Sequence, residues 1–406
     1  MRKNQVDRNP IHNTENLRNE IEKRIEVPEN EDTCYVKGYE IKVVNGNQVK
    51  CWLNLTTKKL QKRISQNPLN LFQLDPTYKL MREGFPTFVY GTSNIVHEFF
   101  PAGICIASNE DAETFAAVFA NMDGDNIKEV MGDGDKGLSK AQKQVWPSDT
   151  TYTLSKESFE EEVDESDDEE EASTKDVEKN RLMCFIHVDR NCQKKVPQRY
   201  KPEVMEDIRK MRICETRNKF DNIHKAFQLK WRKENNAELN KFLSYFYKVW
   251  IFSQESNWFS GAGSLDHNNG LEAKNLDLKR TKVLRPKQPL GDFFKNAEEI
   301  VYGMSIKEDE RLFCDAKLLI SRPEITAGWQ WLQIHQKKGD IIEIKGKYYV
   351  KSSKASDDDL GTKAKELIRA KRNNFVDKTF DEWSKIRETV YELEVKNGTL
   401  SCSCPL

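Results

Sequence analysis

Between Thr33 and Lys59 apolar and polar residues alternate, in Tyr35-Val-Lys-Gly-Tyr-Glu-Ile-Lys-Val-Val and again in Val49-Lys-Cys-Trp-Leu. A period of two predicts a strand pair, and Asn45-Gly-Asn between the runs is a favoured hairpin turn. Three more strands are predicted in quick succession: Leu71-Phe-Gln-Leu-Asp75, Pro86-Thr-Phe-Val-Tyr-Gly-Thr92 and Phe100-Pro-Ala-Gly-Ile-Cys-Ile-Ala-Ser108. The spacing then becomes helical, with apolar residues at 115, 118, 119 and 122 predicting a helix from Asp111 to Met122. A short strand, Ile127-Lys-Glu-Val-Met131, precedes Asp133, and a helix is predicted over 136–145. Arg181-Leu-Met-Cys-Phe-Ile-His187 reads as a strand running into a helix. Residues 201–250 are helical in pattern, Leu290–Met304 is amphipathic, and Thr362–Thr389 is expected to be helical. Three antiparallel strands, a helix, a fourth strand and a helix are the order of an α/β, ribonuclease-H-like mixed sheet flanked by helices.

Composition narrows the setting. The 406 residues leave room for two or three domains. No run approaches the length of a membrane span, and Met1-Arg-Lys-Asn-Gln lacks the apolar segment of a signal peptide, so an intracellular protein without a membrane partner is expected. Nine scattered cysteines, an odd number, argue for reduced thiols. The net charge of -1 conceals an acidic tract: residues 157–178 hold thirteen Asp or Glu against one Lys, a net of -12 that leaves +11 elsewhere. Such a tract cannot bury enough apolar surface to order itself, and the basic remainder is compatible with nucleic acid.

The candidate chemistry lies in isolated acids. Trp258-Phe-Ser-Gly-Ala-Gly leads into Asn268-Asn-Gly-Leu-Glu-Ala-Lys-Asn275, where two Asn suit a helix start and Glu272 falls in its first turn. Asp75 closes an apolar strand before Pro76, and Asp133 follows Val130-Met-Gly. Carboxylates at the ends of neighbouring strands converge at one edge of a sheet, and three of them can hold two divalent ions. Each acid also has a plain reading. A strand-end Asp is commonly a turn or cap residue, Asp135 competes with Asp133, and a first-turn Glu complements the helix dipole. Trp258 and Phe259 are candidates for base stacking or for core packing.

Several segments together resemble the catalytic domain of Mutator-like (MULE) transposases. They are Leu74-Asp-Pro-Thr-Tyr-Lys-Leu80, Gly84-Phe-Pro, Tyr90-Gly-Thr, Phe100-Pro-Ala-Gly, Ser108-Asn-Glu-Asp, Gly132-Asp-Gly-Asp-Lys-Gly137, Cys184-Phe-Ile-His187 and the Asn268–Asn275 run. The resemblance covers about residues 35–406, in the expected order. Pro76 departs from the small residue more usual after the family's first acid.

The resemblance implies a DDE-type DNA transposase with Asp75, Asp133 and Glu272 as first, second and third acids holding Mg2+ or Mn2+. Cys184 and His187 match the family's Cys-x-x-His pair and would lie near the site; as plain residues they are a buried thiol and a hydrogen-bonded imidazole. Basic residues after Glu272, namely Lys274, Lys279, Arg280, Lys282, Arg285 and Lys287, are candidate phosphate contacts or a solvated face. Ser401-Cys-Ser-Cys-Pro resembles the start of a SWIM zinc finger, of which Cys402 and Cys404 would be half the zinc ligands, so Zn2+ is expected only if the pattern continues.

The implied organisation is a polar arm (1–32), a strand pair and lead-in (33–68), the transposase domain (69–305), a C-terminal helical region (306–395) and the truncated finger (396–406). Within the transposase domain lie an acidic loop (155–179) and a helical insertion (about 195–255) between the second and third acids. Expected partners are double-stranded DNA, both terminal repeats and target, in the nucleus, with homo-oligomerisation left open. A domesticated DNA-binding or regulatory protein, or an inactive fragment of an element, is the alternative.

Overall fold

The computed structural model describes residues 14–44, 48–94, 97–122, 126–133, 135–146, 180–282, 287–307, 322–352, 355, 359–396 and 399–403. The predicted hairpin turn at 45–47 and the acidic tract lie outside them. The chain forms two compact units, one from residues 1–187, 252–257 and 263–313, the other from 188–251, 258–262 and 314–406.

The first unit is an α/β layered structure built on a mixed seven-stranded sheet. Its elements are α1 (Thr14–Glu22), β1 (Tyr35–Val44), β2 (Gln48–Thr56), α2 (Lys58–Gln66), β3 (Leu71–Thr77), β4 (Thr87–Ser93), β5 (Phe99–Ala107), α3 (Ala112–Ala120), β6 (Glu129–Gly132), α4 (Lys136–Val145) and β7 (Asn180–Met183). The strand order is β1-β2-β5-β4-β3-β6-β7. The first five strands in that order pair antiparallel, whereas β3 with β6 and β6 with β7 are parallel. Helix α5 (Phe185–Lys195) follows β7, and α9 (Asn269–Asp277) and α10 (Leu290–Ser305) return to this unit after the α6–α8 segment described below.

Alternation along the strands sorts side chains to two faces, because successive residues of a strand point to opposite sides. Val89, Ile104 and Ile106 pack with Leu17 and Ile21 of α1, Leu271 of α9 and Phe293, Phe294, Ile300 and Val301 of α10. On the other face Phe72, Leu74, Phe88, Tyr90 and Cys105 pack with Phe115, Val118 and Phe119 of α3 and Leu138 and Ala141 of α4. The arm expected at 1–32 thus contains a helix whose Leu17 and Ile21 are in the core. Covered on both faces, β4 is buried throughout. At Gly103 of β5 any side chain would collide with the Tyr90 hydroxyl, since an added Cβ would lie 2.1 Å from it.

The second unit holds α6 (Lys201–Met211), α7 (Arg217–Arg232), α8 (Ala237–Phe246), α11 (Arg322–Lys337), α12 (Leu360–Arg372) and α13 (Phe380–Thr389), with β8 (Ile341–Ile344), β9 (Lys347–Lys351), β10 (Val390–Lys396) and β11 (Thr399–Cys402). The 306–395 stretch is therefore not wholly helical. Ile341–Ile344 and Lys347–Lys351 pair about a Lys345-Gly346 turn, with φ of 54° and 76°, and β10 and β11 extend them into a four-stranded antiparallel sheet. The helix expected over 362–389 breaks into two, because Asn374 and Phe375 adopt positive φ (48° and 59°), where an α-helix cannot continue. Trp258 and Phe259 are core residues of this unit: Phe220 stacks on Phe259 at 4.3 Å and meets Trp258 edge-on at 4.9 Å. The base-stacking reading of that pair is corrected accordingly.

Candidate active site

Parallel pairing brings the acids to one end of the sheet. Gln73 of β3 is in register with Met131 of β6, so Asp75 and Asp133 each lie two residues further along adjacent parallel strands. Gly132 is in register with Met183, which sets Cys184 beside Asp133 at the end of the third parallel strand. The β3–β6 pairing stops at Gln73↔Met131, while β3 continues alone against β4 through Asp75 and Pro76. Pro76 therefore sits where no donor is needed toward β6, and Asp75 lies beside a strand edge that β6 leaves unpaired.

Helix α9 brings the third acid. Glu272 lies in its first turn, its N–H donating to the Asn268 carbonyl at 3.0 Å. Leu271, Asn275 and Leu278 form the buried stripe of this segment at helical spacing. The middle position is polar, and Asn275 Nδ2 donates to Asp75 Oδ2 at 2.6 Å. Gly270 permits the close approach: a Cβ there would lie 2.7 Å from the His97 carbonyl oxygen and 3.0 Å from Phe99 Cβ. His97 and His267 stack beside it, ring centroids 4.3 Å apart.

The electrostatics follow from crowding like charges in a partly buried place. Burial, then the charges of Asp133 and Glu272, push the Asp75 carboxyl up from its ordinary value to about 7, while the Asn275 amide partly opposes them. Glu110, in the loop after β5, is likewise pushed up to about 7 by burial and by Asp133 and Asp135. Asp133 Oδ1 accepts from the Asp135 N–H at 3.2 Å, whereas Asp135 Oδ1 caps α4 by accepting from Gly137 N–H at 2.6 Å. The two Asp differ in surroundings: Asp135 caps α4, and Asp133 is the one whose charge raises Asp75.

Cys184 and His187 border the same acids. The Cys184 thiol is fully buried, donates to Asn268 Oδ1 at 2.9 Å and is pushed up to about 11 by burial. His187 Nε2 lies 4.0 Å from Glu272 Oε1. The basic residues divide. Lys274 pairs with Asp277 of its own helix at 3.2 Å, Lys279 and Arg280 are exposed in the π-helical turn after α9, and Lys287 is exposed. The side chain of Lys282 and all of Arg285 lie outside the described residues, as do the side chain of Cys402 and all of Cys404.

Three neighbours escaped the sequence reading. Glu110 carried a signal only as part of Ser108-Asn-Glu-Asp, since a loop acid has no periodicity. Asn275 had a stronger one, a polar residue at a core position of its helix. Arg181 opens a run that reads as a strand, yet its buried guanidinium donates to the carbonyls of Leu182 at 2.8 Å, Val130 at 3.5 Å and Asp133. Burial pulls Arg181 below the usual arginine range, against the opposing charge of Asp133. It braces the backbone at Asp133.

No protein-family model matches this chain, and no curated protein matches it. Among the described residues no helix is long and apolar enough to cross a membrane.

Proposed function

We propose that this chain is a DDE-type DNA transposase by descent, a nuclease that cuts and rejoins phosphodiester bonds with Asp75, Asp133 and Glu272 as its acids. One observation carries the reading. Asp75 of β3 is pushed up to about 7 first by burial and then by the charges of Asp133, at the end of β6, and Glu272, in the first turn of α9, so the three carboxylates lie within electrostatic reach of one another. Within the mixed sheet, β3, β4 and β5 pair antiparallel and β6 and β7 add parallel to β3, which supports a ribonuclease-H-like core.

The donor set suits hard divalent cations. Hard ions of the Mg2+ or Mn2+ class prefer carboxylate oxygens, and a bound cation would offset the burial and the mutual repulsion that together raise Asp75. When bound, two such ions supply activation of the attacking oxygen and stabilisation of the leaving one. The chain's own residues do the positioning. Asn275 fixes one oxygen of Asp75, the Asp135 N–H fixes one of Asp133, and Arg181 holds the Asp133 carbonyl. The exposed Lys279 and Arg280 follow the helix of Glu272 and offer phosphate contacts to double-stranded DNA.

Supercoiled plasmid is a probe that needs no terminal-repeat sequence. Nicking in Mn2+ or Mg2+ by the wild type, lost in Asp75→Ala, Asp133→Ala and Glu272→Ala, is the expected result. Nicking that persists in these variants, or a wild type that cuts nothing, overturns the enzyme reading. DNA binding without cutting would leave a domesticated DNA-binding protein in its place.

A further inference from the structure

A second donor set overlaps the acids and differs from them in chemistry. One ligand atom from each of Cys184, His187 and Glu272 lies within 4.8 Å of the other two. The backbone builds this from two places. Cys184 closes the β7 end and His187 stands in the first turn of α5, its N–H donating to the Cys184 carbonyl at 3.1 Å, so the two side chains share one side of the turn. Glu272 reaches them from the first turn of α9. The side chains of His187 and Glu272 are 23% and 26% exposed, so an ion has access and both can adjust. Ligand atoms around a tetrahedral zinc stand roughly 3.5 Å apart, a modest contraction from what is present.

Asn268 supplies an independent pointer. It is the N-cap residue of α9, yet its side chain makes no capping bond. Its Oδ1 instead accepts from the Cys184 thiol, and its Nδ2, in a residue only 1% exposed, has no hydrogen-bond partner among the described residues. An amide so placed serves either form of the sulfur. The carbonyl accepts from a thiol, and after a half-turn the N–H donates to a thiolate, the form that ligates metals. An outer amide holding a ligand atom in this way is a usual companion of metal sites.

We propose that Cys184, His187 and Glu272 form a binding site for a thiolate-accepting divalent cation of the zinc class. Sulfur, imidazole and one carboxylate make a borderline-soft set, unlike the all-oxygen set of Asp75 and Asp133, and three protein ligands leave a fourth position open. As the metal–sulfur bond forms, the Cys184 proton passes to solvent and Asn268 turns its N–H to the sulfur. Glu272 belongs to both sets. If the nuclease reading above holds, zinc at this site withdraws the third acid from Asp75 and Asp133 and inhibits magnesium-dependent cutting.

Cobalt(II) is the probe, added to the full chain carrying Cys402→Ser and Cys404→Ser so that the terminal Cys-x-Cys cannot contribute. The expected result is a thiolate-to-cobalt charge-transfer band in the near ultraviolet at one equivalent, bleached by Zn2+. It should persist in Asp75→Asn, disappear in Cys184→Ser and weaken at least about tenfold in apparent affinity in His187→Ala. No band in the parent, or an unchanged band in Cys184→Ser or His187→Ala with native circular dichroism, overturns the site. The band does not depend on cutting, so it decides the site even if plasmid is never nicked. Where nicking occurs, zinc inhibition relative to each variant's zinc-free rate should be at least about tenfold weaker in Cys184→Ser. Equal zinc sensitivity overturns the shared-ligand part.

Discussion

Asn275 Nδ2 donates to Asp75 Oδ2 at 2.6 Å, tying the helix that carries Glu272 to strand β3. The bond spans 200 residues of sequence and lies inside the first unit. It also opposes the burial and like charge that raise Asp75. Asn275→Ala should therefore have two effects. Removing a buried hydrogen bond to an ionisable group costs about 2 kcal/mol in urea unfolding. The pH at which Mg2+ begins to raise the melting temperature should move upward, because Asp75 loses the group that favours its ionised form. A variant with unchanged stability and unchanged pH response would show that the bond does not form.

Asp75 itself should make stability depend on pH in an unusual direction. Its ordinary value is 3.8 and its folded value about 7, so between these the folded state holds a proton that the unfolded state has lost. Stability from this group is fully present below the unfolded value and is lost as pH rises through 7. Asp75→Asn should then exceed the wild type at pH 8 without divalent ions, by about 2–4 kcal/mol. Mg2+ should narrow that difference by stabilising the wild type. Denaturant titrations at pH 5 and pH 8, with and without Mg2+, provide the check; an Asn variant less stable than wild type at pH 8 counts against the buried acid cluster.

Gly270→Ala tests whether close approach sets the position of Glu272. Alanine in a helix is ordinarily favourable over glycine by about 1 kcal/mol. Here the new Cβ would meet backbone at 2.7 Å, which a flexible side chain cannot relieve, so α9 must shift away from β5. The expected outcome is a lower melting temperature and a reduced stabilisation by Mg2+ or Mn2+, both read by calorimetry. A stabilised variant with an unchanged metal response would contradict it.

The second unit should lose stability in acid in two stages. Burial holds the His224 imidazole down at about 3. Its stabilising share is present above 6.5 and is lost as pH falls toward 3. Glu215 is held down at about 2 against burial, by the charges of Arg387, Lys371 and Lys219, and its share is lost as pH falls from 4.5 through 2. His224→Gln should flatten the first slope and Glu215→Gln the second, followed by tryptophan fluorescence, since Trp231 and Trp258 are buried in this unit. Identical slopes in wild type and both variants would rule out this assignment.

Periodicity made most of the elements of the first unit legible. Strands at 35–44, 71–77, 87–93 and 99–107 and helices at 112–120 and 136–145 fall where alternation or helical spacing predicts them. The sheet of residues 341–402 was not legible, because its strands are short and stand among helices, and only positive φ at Lys345 and Gly346 turns the first pair back. The site was half legible. Asp75 and Asp133 stand out as acids ending apolar strands, and Glu272 as a first-turn acid. Asn275 shows only as a polar residue at a core position of its helix and Glu110 only within Ser108-Asn-Glu-Asp, while Arg181 shows nothing of its role until the chain is folded.

The sequence by itself determined local conformation and its punctuation: which runs extend, which coil, and where Thr57, Asp111 and Asp135 cap helices. Those are contests between neighbours a few residues apart, so neighbours decide them. Only the tertiary structure decided which acids act on one another. Asp75 feels the charge of Asp133 because β3 and β6 pair parallel in one register, and that of Glu272 because Gly270 lets α9 approach and Asn275 holds it. Burial and mutual charge, the forces that raise Asp75 to about 7, act through space. They exist only after distant segments are brought into contact.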